Sequence, residues 1–190
     1  MSRAGSLLRP RQMRAEPASR IRRRWPNLWP RFALVGGLGA AALGYAALDR
    51  FAQTHAFMLN LSPSLPHWAL WLDHGRSPRR NEILVFMPPR SALMAAHFGE
   101  HARPFAKYGV GLPGDRVTRA GRQFFVNGRL AALAKPATRR GEPLALGPTG
   151  TLPPGCYFVA TPHRDSFDSR YAAIGWICSP RILGTARPIL

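Results

Sequence analysis

Residues 32–48 (FALVGGLGAAALGYAAL) form one uncharged apolar run, and nothing later in the chain matches it. Seventeen residues is the short end of what an α-helix needs to cross a bilayer. Gly36, Ala40 and Gly44 recur every four residues, so they share a helix face on which a second helix can approach closely. Beyond a short connection at 49–59, the pattern changes to brief apolar stretches broken by Gly and Pro. EILVFM (82–87) is closed by Pro88-Pro89, and GCYFVAT (155–161) follows a Pro-Pro-Gly turn. GRQFFVNGRLA (121–131) holds Asn127-Gly128 between two apolar halves, a hairpin signal because both turn residues accept positive φ. AAIGWICS (172–179) reads as a further strand, and SALMAAHF (91–98) alone reads as helix. The pattern predicts an all-β domain carried on one N-terminal transmembrane helix.

Charge sharpens this picture. The 190 residues carry 27 Lys and Arg against 9 Asp and Glu, a net +18. Nine arginines precede residue 32, opposed only by Glu16. Such a flank predicts a cytoplasmic N-terminus and an exported C-terminal portion, with Trp25 and Trp29 near the cytoplasmic interface. The expected organisation is a disordered basic tail (1–31), a membrane anchor (32–48) and an exported domain (49–190). A cleaved signal peptide is the competing reading, but a 31-residue Arg- and Pro-rich lead is long for one. Residues 51–190 hold 17 basic and 7 acidic side chains, scattered and without the aromatic–basic alternation that stacks single-stranded bases. No nucleic-acid partner is expected. Cys156 and Cys178 flank a polar loop, and outside the cytoplasm they are compatible with either a bridge or two buried thiols.

Only two of the basic residues are lysines, Lys107 and Lys135. Arg stays charged, whereas a buried Lys can lose its proton. Lys107 lies in AKYGVGLPGD among Phe105, Tyr108, Val110 and Leu112, on a strand running into the turn at 112–115. To serve as a base near pH 7–8 its pKa must fall from about 10.4, which burial can supply. Ser64 lies in NLSPSLPHW between two prolines that stiffen the backbone. Ser62, two residues earlier, shares its side if the segment is extended. In SFDSRY, Asp168 and Arg170 are spaced to pair across one extended turn, with Ser166 beside them. Taken singly, each segment is equally a linker, a surface lysine or a polar turn. His97, Glu100 and His101 match the metal-binding pattern H-x-x-E-H, but Gly99 and Pro104 oppose the continuous helix it requires. The glycines at 37 and 39 lie inside the apolar run, where no dinucleotide fold can form. No metal and no cofactor are expected.

The order Ser64, Lys107 with GLPGD following, then SFDSRY, resembles the type I signal peptidase family (S26) over about residues 60–187. The resemblance implies a coiled β-sheet fold and a serine endopeptidase. It assigns Ser64 as nucleophile, Lys107 as general base and Ser62 as a side-chain oxyanion donor. It makes Ser166 a hydrogen-bond partner of the lysine, and Asp168 and Arg170 a supporting ion pair. The Ser64-Leu65-Pro66 spacing resembles the conjugative-transfer (TraF-type) branch, whose members process a pilus subunit by cleavage, sometimes with cyclisation. The sequence following the proline, His67-Trp68-Ala69-Leu70, departs from that branch. The expected partners are a pilin-like precursor and the membrane. A general signal peptidase, or a non-catalytic component of a secretion apparatus that keeps the fold, are the alternatives.

Overall fold

A computed structural model describes residues 27–60 and 63–189. The basic tail up to residue 26, and Ser62, lie outside the described residues. The chain divides into two compact units, one ending at Leu43 and the other spanning Gly44–Leu190.

The apolar run forms helix α1 (Trp29–Thr54), 26 residues long with no buried residue. It is long and apolar enough to cross a membrane. The helix extends past the apolar run at both ends, so residues 49–54, read above as connection, are helical. Residues 55–59 of the same connection form strand β1 (His55–Leu59).

The larger unit is built from two antiparallel sheets. Seven strands line up in the order β1-β2-β11-β3-β4-β9-β10. These are β1, β2 (Ala69–His74), β3 (Ile83–Phe86), β4 (Phe105–Gly111), β9 (Cys156–Ala160), β10 (Ile177–Cys178) and β11 (Ile182–Pro188). Four more strands form β7-β6-β5-β8, from β5 (Arg116–Ala120), β6 (Gln123–Val126), β7 (Arg129–Leu133) and β8 (Gly150–Thr151). The expected hairpin at Asn127-Gly128 joins β6 to β7, with φ of 49° and 77° at the two turn residues. Every residue of β3 and of β9 is buried, the signature of central strands covered on both faces.

The buried apolar side chains form three clusters. One cluster gathers Val117, Phe124, Val126, Leu152 and Phe158, and a second Leu65, Leu70, Ile83 and Val85. A third, of Phe86, Met94, Val159 and Ile177, receives helix α2 (Ala92–Phe98) through Met94. Ser91 caps that helix by accepting from the Met94 N–H, and Gly99 ends it at φ 81°. Glu100 and His101 therefore fall outside the helix. His97 pairs instead with Glu142 at 2.6 Å, and no cluster of three metal-ligating groups exists among the described residues. The stretch 172–179 is not the continuous strand expected there: residues 172–174 form a turn and only Ile177–Cys178 are extended in a strand. Gly175 adopts φ 62°, and only Ile177–Cys178 pair, with Tyr157 and Cys156.

Candidate active site

Between β1 and β2 the chain turns at residues 63–66, and Asn60 fastens both sides of that turn. Its backbone N–H donates to the Trp68 carbonyl at 2.8 Å, and its side-chain amide donates to the carbonyls of His67 at 2.7 Å and Leu65 at 3.3 Å. Leu65, 4% exposed, plugs the turn into the second core cluster. Ser64 thus sits on a turn fixed from below and from the side, itself 8% exposed. Sequence reasoning passed over Asn60. An Asn opening a Ser/Pro-rich turn is a recognisable signal, because its amide can satisfy carbonyls that a turn leaves unpaired.

Lys107 lies on β4 opposite Leu84 of β3 and is 5% exposed. Its ammonium stands 5.8 Å from the Phe105 ring centroid. Burial dominates its titration and lowers the pKa to about 8. Asp168 pulls the other way and Arg170 counters Asp168. The two charges of the nearby ion pair act on the lysine in opposite directions, and desolvation prevails.

Beyond β4 the turn Leu112-Pro113-Gly114-Asp115 is closed by its own aspartate. Asp115 accepts from the Leu112 N–H at 2.6 Å, from Asn127 at 2.7 Å and from Arg80 at 2.9 Å. The Arg80 hydrogen bond leads in holding this carboxyl below the usual range. Gly111 is needed because a Cβ there would stand 2.9 Å from both Leu152 and Phe158. The turn locks the end of the strand that carries Lys107.

The segment 166–170 is the most buried polar stretch of the unit. Asp168 and Arg170 are 0% and 2% exposed. Arg170 Nε donates to one Asp168 oxygen at 2.7 Å and Nη2 to the other at 2.8 Å. The same guanidinium donates to the carbonyls of Thr161 at 2.6 Å and Leu133 at 3.0 Å, so one side chain ties β9 to the end of β7. The Thr161 N–H in turn donates to Asp168 at 3.2 Å. Ser169 Oγ accepts from the Val159 N–H at 2.9 Å, extending the edge of β9. Gly147 packs against this segment so tightly that a Cβ would lie 2.1 Å from the Ser169 carbonyl. Ser166 is 2% exposed, and its Oγ has no hydrogen-bond partner among the described residues.

A cleft of about 900 Å³ brings three of these residues together: Ser64, Lys107 and Ser166 all line it. Phe57, Leu59, Phe98 and Phe105 supply apolar wall. Asp168 and Arg170 are absent from its lining and act behind it, while Ser62 lies outside the described residues. A buried hydroxyl, a buried amine and a second, unpartnered hydroxyl on one apolar cleft form a set able to activate a nucleophile without a metal. Cys156 and Cys178 face each other in register across β9 and β10 and are joined by a disulfide, which resolves the two options the sequence left.

Residues 35–190 match the family described as Signal peptidase, peptidase S26. A conjugal transfer protein TraF of Agrobacterium fabrum is 29% identical over 175 residues, covering 83% of this chain and 95% of that protein. A conjugal transfer protein TraF of Agrobacterium tumefaciens is 31% identical over 166 residues, covering 80% of this chain and 92% of its own length. A probable signal peptidase I-2 of Synechocystis is 33% identical over 115 residues, covering 58% of this chain and 47% of that protein.

Proposed function

The chain belongs to the signal peptidase S26 family, and we propose that it is a membrane-anchored serine endopeptidase that matures a secreted, pilin-like precursor. The observation that carries the proposal is the meeting of Ser64 with the buried, low-pKa Lys107 on one cleft. Neutral Lys107 takes the Ser64 hydroxyl proton as the oxygen attacks the scissile carbonyl, and returns it to the departing amine. The Ser64 N–H and the Ser62 hydroxyl stabilise the oxyanion. The hydrogen bond expected between Ser166 and the lysine is not formed in the structure, where the Ser166 Oγ lines the cleft without a partner among the described residues. Water then cleaves the acyl-enzyme ester and restores Ser64. Asp168 and Arg170 support the loop from behind.

The pilin-like substrate is favoured by the two Agrobacterium proteins, matched over nearly their whole lengths and named for conjugal transfer. The Ser64-Leu65-Pro66 spacing agrees with that branch. A general signal peptidase is the second reading, favoured by the shorter match to the Synechocystis protein. In both cases the organisation we infer is a basic cytoplasmic tail (1–31), an inner-membrane anchor (32–48) and a periplasmic catalytic domain (49–190).

Mass spectrometry of a co-expressed pilin precursor tests the reading. Processing by the native chain, and none by Ser64→Ala or Lys107→Ala, is the expected result. Equal processing by all three would leave a non-catalytic scaffold as the answer.

A further inference from the structure

The charges lining the cleft do not balance. Besides Lys107, its described lining includes Arg103, Lys135 and Arg139 against a single carboxylate, Asp165. Asp165 accepts from Lys135 Nζ at 2.5 Å, from Arg139 Nε at 3.0 Å and from Arg139 Nη2. The Lys135 hydrogen bond, followed by that of Arg139, holds the carboxyl at about 2, so it is an anion at any working pH. One carboxylate therefore serves two cations and leaves positive charge in excess. Structural need does not account for the second cation: Arg139 is 76% exposed at its side chain, where an ion pair contributes little stability. Its Nη1 makes no hydrogen bond among the described residues, and Lys135 remains 33% exposed. Both cations thus have donors left for a visitor. The cluster is also tied to the site, since Asp165 directly precedes Ser166 and the Lys135 N–H donates to the Tyr171 hydroxyl at 3.0 Å.

We propose that the Lys135–Asp165–Arg139 cluster is a recognition subsite for a carboxylate of the substrate chain, either an acidic side chain or the chain terminus. The proposal rests on the cleft being a peptide-binding site, as inferred above, and names what part of the peptide it selects. The planar guanidinium edge can direct its remaining donors onto a carboxylate, and at so exposed a position the gain is modest and screened by salt.

Fluorescence anisotropy on the Ser64→Ala protein tests it without requiring turnover. The probes are four labelled synthetic peptides sharing one Ala/Leu-rich segment, ending in Glu-Glu or Gln-Gln, each with a free or amidated C-terminus. The Glu peptide or the free-terminus peptide is expected to bind about fivefold tighter than its uncharged twin at low ionic strength. Which of the two does so identifies the source of the carboxylate, and the gap should narrow with added salt. Arg139→Glu, at an exposed position, should abolish or reverse the ordering, and Lys135→Gln should reduce it. Equal affinities for all four peptides, or a preference that survives Arg139→Glu, overturns the proposal. Cleavage of the amidated Gln peptide by the Ser64-bearing enzyme reports separately on the peptidase reading. Its absence would count against that reading and leave the affinity comparison standing.

Discussion

The base role proposed for Lys107 rests on one titration. With a pKa near 8 in the folded protein, kcat/KM should climb with pH through about 8 and level off above it, since only the neutral amine accepts a proton. A profile flat between pH 6 and 10 would remove the lysine from the base role. Lys107→Arg should be as inactive as Lys107→Ala, because a guanidinium keeps its proton in any protein. The same shift has a cost in stability whose sign can be worked out. The unfolded chain binds this proton more tightly than the folded one, so the penalty is complete below pH 8 and fades as pH rises through 10.5. Lys107→Met should therefore gain stability over the native chain at pH 7, by an excess that shrinks on the order of 3 kcal/mol by pH 10.5. Denaturant unfolding of both proteins at several pH values measures it; a constant difference would contradict burial as the cause. Among single residues, Ser64, Lys107 and Ser166 were singled out by motif order, and all three line one cleft. Asn60 and Asp165 were not. Asn60 fastens the carbonyls of Leu65, His67 and Trp68, a local signal that was passed over, whereas Asp165 matters through Lys135, 30 residues before it.

At the scale of elements, local signals were read well and long-range ones poorly. The Asn127-Gly128 hairpin and the short helix behind Ser91 depend on neighbours in sequence, and both appear as expected. Strands β2 and β11 escaped notice because they gain definition from each other: Thr185 pairs with Asp73 on one side and Leu84 on the other. The stretch 172–179 misled because its apolar composition fits a strand, while Gly175 at φ 62° breaks it. The disulfide links β9 to β10 across the loop that carries Ser166, Asp168 and Arg170. Its closure over 22 residues contributes about 3 kcal/mol in the chain-entropy account. Thermal unfolding in detergent with and without reductant, or of Cys178→Ala, should show a loss of about 10 °C. No loss would mean that pairing of Ile177 with Tyr157 suffices by itself. Gly147→Ala should be more damaging to activity than its size suggests, because the added methyl meets the Ser169 carbonyl and displaces the whole 166–170 segment. Native-like turnover by that variant would show the segment to be more yielding than its packing implies.

For the whole molecule, net charge and the apolar helix together set an expectation about sidedness. With nine arginines before residue 32, protease added to spheroplasts should digest the domain beyond residue 51 and spare an N-terminal tag. A protected domain would defeat the proposed location and the pilin reading with it. The sequence made the anchor and the family legible but left the cleft's charge imbalance hidden, because Arg103, Lys135, Arg139 and Asp165 meet only through folding. The Asp168–Arg170 pair has a further consequence, for descent rather than for the single molecule. Removing either partner strands a buried charge, at about 3–5 kcal/mol, while exchanging both for apolar residues of similar volume can be nearly neutral. The intermediate gives up a large fraction of a domain's total stability. Single substitutions at this pair are therefore disfavoured along a lineage, and the two positions should be inherited as one character.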